Sequence, residues 1–116
     1  MTRPLVHFEI QTTDLARARE FYSQLFGWQI DANNPMNYGL IPPGIGGPEA
    51  GVGGGIAPSA ESRVVLYIQV VDLQETLARA ESLGGRRVME PMDVPGGPAI
   101  AQLADPEGNV VGLVKQ

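Results

Sequence analysis

The chain has no cysteine, which excludes disulfides, thiolate nucleophiles and cysteine-based metal sites. Basic residues are scarce, 8 against 13 acidic ones, and the resulting net charge of −5 argues against nucleic acid as a partner, because phosphate-backbone binding depends on clustered Lys and Arg. The only basic pairs, Arg17 with Arg19 and Arg86 with Arg87, read as solvated positions. Long apolar runs are also missing. No segment approaches the ~20 apolar residues needed to span a bilayer, and MTRPLVHFEI has no small-residue cleavage site. The expectation is a cytoplasmic protein with no membrane partner. Histidine and tryptophan occur once each, as His7 and Trp28. What is plentiful is turn chemistry: 15 glycines and 10 prolines imply many short strands, hence an α+β or mostly β fold. At 116 residues the chain is expected to form a single domain.

That domain is built from two copies of one plan. An offset of 58 positions (Asp72 minus Asp14) superposes Val6 on Val64, Ile10 on Ile68, Gln11 on Gln69, Leu15 on Leu73, Leu25 on Leu83 and Gly27 on Gly85. Further along, Val52 meets Val110, Gly54 meets Gly112 and Ile56 meets Val114. Each copy reads as strand, helix and three further strands, giving modules over 1–58 and 59–116 that must pair within the chain or across a dimer to bury their sheets.

In the first copy, Val6 to Gln11 alternates as a strand, with Phe8 and Ile10 on one face and His7, Glu9 and Gln11 on the other. A helix capped by Thr13 or Asp14 is predicted to bury Leu15, Ala18, Phe21, Tyr22, Leu25 and Phe26 and to end at Gly27. Trp28 is expected in the core or an interface. Gln29 to Ala32 and Asn37 to Ile41 are predicted strands around an Asn33-Asn34-Pro35 turn. Between Pro42 and Pro58 glycine and proline dominate; the repeat favours a loop that ends in a strand around Gly51 to Ile56. No Gly-Lys-Ser/Thr and no opening helix follow, so this is not a phosphate loop.

The second copy runs from the strand Val64 to Val71 into a helix capped by Asp72, with Glu75 completing a capping-box pattern and a stripe of Leu73, Leu77, Ala80 and Leu83. Strands are predicted over Arg87 to Glu90, Ile100 to Ala104 and Asn109 to Lys115, joined by a turn-rich Pro91 to Pro98 and a tight reversal at Asp105 to Asn109. The segment with Met89 and Met92 reads as a cavity rim or a dimer contact.

The segments DLARAREFYSQLFGW, YIQVVDLQETLARAESLGG and LADPEGNVVGLV resemble the vicinal oxygen chelate superfamily, which includes glyoxalase I, bleomycin-resistance proteins and extradiol dioxygenases. The resemblance covers the whole chain. It implies an α+β fold in which two βαβββ modules form an open, curled mixed sheet around a cavity, with one helix outside each module. Such proteins hold a divalent metal through the first and last strands of each module, and the metal polarises vicinal substrate oxygens. Carried onto this chain, the four ligand positions fall on His7, Gly54, Val65 and Gly112, so three offer no donor. A catalytic ion ordinarily needs about three protein ligands. No cofactor is therefore predicted, a divalent metal being the alternative.

The residues expected to line the cavity are His7, Glu9, Gln11, Tyr38, Gly54, Val65, Tyr67, Gln69 and Gly112, with Asn37 beside Tyr38. His7 and Glu9 are the candidate catalytic pair, able to do acid–base work or simply to form a satisfied polar cluster. The expected function is binding of a small molecule by a homodimer. The alternatives are a metal-dependent lyase, isomerase or dioxygenase, a drug- or metabolite-sequestering protein, and a structural or partner-binding module.

Overall fold

A computed structural model describes residues 2–34, 37–41 and 51–115. Among the described residues the elements are β1 (Leu5–Thr12), α1 (Leu15–Phe26), β2 (Gly39–Ile41), β3 (Gly54–Pro58), β4 (Arg63–Val70), α2 (Leu73–Ser82), β5 (Arg86–Asp93), β6 (Ala99–Ala104) and β7 (Val110–Lys115). The class is α+β with mixed strand pairing, as expected. The chain divides into two compact units, residues 7–65 and residues 66–116 together with 1–6.

In the first unit β1 and β3 run parallel, with Phe8 opposite Gly54 and Glu9 opposite Gly55, and β2 lies antiparallel to β3. In the second, β4 and β7 run parallel, with Tyr67 opposite Gly112, while β6 joins β7 and β5 joins β6 in antiparallel pairs. First and last strands of both modules thus pair in parallel, the arrangement that requires a long crossover such as each helix begins. The sequence repeat is therefore a repeat of connectivity as well.

The first module departs from the second in one element. Instead of a strand over Gln29 to Ala32 there is a single bridge between Asp31 and Leu40, made by two backbone hydrogen bonds of 3.1 and 2.8 Å. The cause is local: the Asp31 carboxylate accepts from the Asn33 backbone N–H at 2.9 Å, an Asx turn that bends the chain away from the ladder. The predicted strand around Gly51 to Ile56 begins at Gly54 and continues to Pro58. The rest of the glycine- and proline-rich reading, residues 42–50, and Pro35 lie outside the described residues. In the second module β5 extends through Pro91 and Met92 to Asp93, so the turn starts at Val94, whose N–H donates to Pro98 O at 3.1 Å.

The helices differ in how they are buried. Both are capped by an aspartate: Asp14 accepts from Arg17 N at 3.1 Å and Asp72 from Glu75 N at 3.0 Å, satisfying first-turn donors. Gly27, at φ 71°, closes α1 in the left-handed conformation that its missing Cβ permits. Helix α2 buries Leu73 and Leu77 in a core with Val70, Ala101 and Leu113. Leu83, expected in that stripe, is 65% exposed beyond the last turn. Helix α1 has no fully buried residue, and Phe21, Leu25 and Phe26 are each more than half exposed, contrary to the predicted stripe. It rests instead on Trp28, whose ring lies 5.5 Å from Tyr22, 5.3 Å from Phe26 and 5.7 Å from Phe8. The indole occupies the space next to β1 that helix side chains were expected to fill.

Candidate functional site

Strand alternation sorts β1 into two faces. Phe8 turns toward Trp28 and α1, which leaves His7, Glu9 and Gln11 on the opposite face. There, His7 Nε2 and the Tyr38 hydroxyl are 2.7 Å apart, with the two rings stacked at an interplanar angle of 19°. Two further devices hold that tyrosine. The Asn34 side chain accepts from Tyr38 N at 2.9 Å and donates to Tyr38 O at 2.7 Å, clamping both backbone polar groups of one residue. Asn37, immediately before it, takes φ 50°, a conformation asparagine tolerates better than most residues. On β3, Gly55 has no side chain because the ring is there: a Cβ would lie only 2.0 Å from Tyr38 Cε1 and Cζ.

The same face carries a second chain of contacts. Gln11, 9% exposed, uses both ends of its amide, donating to Glu9 Oε2 at 2.8 Å and accepting from Arg63 Nε at 2.5 Å. A carboxylate and a guanidinium are thereby joined through one buried side chain, which satisfies polar groups that would be costly to bury unpaired.

Burial lowers the pKa of His7 below its ordinary value, and the negative charge of Glu9 opposes the shift without cancelling it. The imidazole is therefore neutral at neutral pH. With the folded-state pKa below the unfolded value of about 6.5, the unfolded chain takes up the proton first on acidification. Stability is expected to fall as pH drops below about 6.5 and to level off below the folded-state pKa. Urea unfolding of the native protein and of His7→Gln at pH 7.5 and 5.5 checks this: the native protein should lose more stability than the variant, and an equal loss would contradict it.

The register changes one assignment. Gly54, expected on the cavity face, sits opposite Phe8, and a Cβ there would meet the Phe8 ring at 2.5 Å on the α1 side. The residue opposite Glu9 is Gly55. In the second unit Gly112 does sit opposite Tyr67, and a Cβ on it would lie 2.5 Å from that ring. Glu9 and Tyr67 are repeat mates at an offset of 58, so the offset slips by one residue between the first and last strands of the modules (112 minus 55 is 57). Tyr67 is 4% exposed and its hydroxyl accepts from the buried Gln102 Nε2 at 3.2 Å. Val65 is 1% exposed, a core side chain, while Gln69 is half-buried with its backbone N–H donating to Pro4 O at 2.9 Å.

Sequence reasoning did not single out Arg63, Asn34, Gly55 or Gln102. Arg63 had a signal, since it extends the alternation of Val65, Tyr67 and Gln69 by one step. The other three needed tertiary contacts.

Among the described residues, the side chains at the superfamily's ligand positions do not make up a donor set for its metal. Among the described residues no three His, Asp or Glu side chains converge to hold an ion. The last-strand positions are glycines under Tyr38 and Tyr67, where any side chain, a ligating carboxylate included, would displace a ring. A recess of about 450 Å³ opens at the start of α1, lined by Thr12, Thr13, Asp14, Arg17, Ala18 and Phe21. Its one carboxylate, Asp14, is committed to the helix cap, and none of its lining residues belongs to the His7 face.

Comparison with known proteins agrees with this architecture. The glyoxalase-like domain family matches residues 7–114. A glyoxylase-like domain-containing protein of Didymella fabae is 34% identical over 111 residues, covering 87% of this chain and 84% of that protein. The Mycobacterium bovis protein CFP32 is 29% identical over 121 residues; they cover 90% of this chain but 42% of that protein, so the chain spans under half of that relative. A glyoxalase/bleomycin resistance protein/dioxygenase superfamily member from Vibrio splendidus shares the fold at a TM-score of 0.67 and 14% identity, over 99% of this chain and 100% of that one. The repeated module, the parallel pairing of its first and last strands and the match over 7–114 together place this chain in the glyoxalase-like domain family of the vicinal oxygen chelate superfamily.

Proposed function

We propose that the domain binds a small molecule on the face bearing His7, Glu9, Gln11 and Tyr38, and does so without the divalent ion general to the superfamily. The observation that carries this reading is the Tyr38 ring over Gly55 with its hydroxyl on His7, which fills the space that a side chain at that position of β3 would need. Binding sites of this type combine apolar walls with a few convergent polar groups. Fold membership alone does not supply the ligand or the reaction.

Thermal denaturation in the presence of small carbonyl compounds, diols and catechols, with EDTA throughout, tests the proposal. A ligand at a hundredfold excess over its Kd stabilises the folded state by about 2.7 kcal/mol. The shift should survive EDTA and be lost in His7→Gln and Tyr38→Phe. A shift undiminished in both variants would move binding off this face. One equivalent of a divalent ion held at His7 in untagged protein, detected by elemental analysis, would overturn the metal-independent reading.

A further inference from the structure

We infer that Tyr38 is a nucleophile with His7 as its base, and that this face takes a carboxylic ester whose acyl group passes to the Tyr38 oxygen and then to water. This rests on the proposed binding of a small molecule at the same face. Three separate features place one hydroxyl: the Asn34 amide clamps the Tyr38 backbone, Gly55 makes room for the ring, and His7 Nε2 lies 2.7 Å from the oxygen. Packing alone would need only the ring. A phenol, with an ordinary pKa of about 10, is a weak nucleophile at neutral pH, and the remedy is a base within hydrogen-bond reach that a third group supports. Here the base is a half-buried imidazole that burial keeps unprotonated, and Glu9 supports it by charge. That carboxylate is itself held in place, since the buried Gln11 amide donates to it at 2.8 Å.

Water is the only second reactant, and nothing is oxidised or reduced. In the tautomer with hydrogen on Nδ1, the Tyr38 hydroxyl donates to His7 Nε2. As the Tyr38 oxygen bonds to the ester's carbonyl carbon, its proton passes to Nε2, and Glu9 favours the imidazolium so formed. The bond from that carbon to the leaving oxygen then breaks, and the leaving oxygen takes the proton from Nε2. Water reverses the sequence. It gives a proton to Nε2 while its oxygen bonds to the acyl carbon, and the Tyr38 oxygen departs with that proton, releasing the carboxylic acid. A phenyl ester is a more reactive acyl donor than an alkyl ester, so an acyl group on Tyr38 is one that water can remove.

Para-nitrophenyl acetate and para-nitrophenyl butyrate, with EDTA throughout, are the probes. Nitrophenolate release is followed by absorbance, and acid-quenched samples are read by intact and peptide mass spectrometry. The expected result is a burst of about one equivalent of nitrophenolate per chain, with one acyl group on Tyr38. Tyr38→Phe should lose both the burst and the adduct, and His7→Gln, which keeps the hydroxyl, should slow acylation at least about a hundredfold. Using two variants keeps the test decisive should one fail to fold. An acyl group found on another residue in place of Tyr38, or a burst that a folded Tyr38→Phe retains, would overturn the inference. No acylation, beside a thermal shift with a carbonyl compound, diol or catechol that the two variants lose, would overturn the nucleophile and leave the proposed function standing. Neither acylation nor such a shift would remove both.

Discussion

Replacing Gly55 by alanine is expected to drive the Tyr38 ring off β3, because the new Cβ would fall 2.0 Å from Cε1 and Cζ. Both contacts are to the outer part of a side chain, so the ring can answer by swinging. Its backbone cannot follow, held as it is by Asn34, and the swing therefore breaks the hydrogen bond to His7. Forced repacking of this kind costs about 1–3 kcal/mol. Two measurements bear on it. Urea unfolding should show that Gly55→Ala is costly alone but much cheaper in a Tyr38→Ala background, a coupling of about 0.5–3 kcal/mol between touching groups. NMR titration should find the His7 pKa returned toward its ordinary value as the covering ring leaves. Equal cost in both backgrounds would mean that Tyr38 is not what demands glycine at this position.

The largest loss of stability is expected in the second unit, from Leu77→Ala. Leu77 is 0% exposed and stands in the cluster of Val70, Leu73, Ala101 and Leu113, edged by Ile68, Ala99 and Leu103. Truncation there removes transfer energy and leaves a cavity, for about 2–5 kcal/mol, whereas Leu77→Met, which keeps the volume, should cost under about 1.5 kcal/mol. Phe21→Ala on α1 is the contrast. Its ring is 57% exposed, so most of its surface is already in water and its removal should cost far less than that of Leu77. Chemical denaturation of the three variants gives the ranking. A Phe21→Ala loss as large as that of Leu77→Ala would mean that α1 is covered in solution.

That contrast also marks how far the chain could be read in advance. The two helices have the same three-and-four spacing, but only α2 meets a sheet broad enough to bury its leucines. A stripe states which face is apolar; what lies opposite it is a matter of how many strands gather there. In the first module the Asx turn at Asp31 reduces one expected strand to a bridge, and Trp28 takes the place next to β1. Gly54 illustrates the same division at the site. The offset of 58 is sound along β1 and β4, where no insertion intervenes, but side chains alternate with a period of two. A slip of one residue across the loop before β3 therefore moves a position to the other face of the strand.

The repeated module, a first cap at Thr13 or Asp14, the second cap at Asp72, the turn at Gly27 and the face shared by His7, Glu9 and Gln11 were legible in the sequence. All of these rest on periodicity and on residues that speak for their own few neighbours. Tertiary structure alone decided that Tyr38 reaches His7 across 31 residues, that Arg63 reaches Gln11 across 52, and that Gly55 stands beneath the tyrosine ring. These depend on strand register, which is set by hydrogen bonds between segments far apart in the chain, and no local pattern records them.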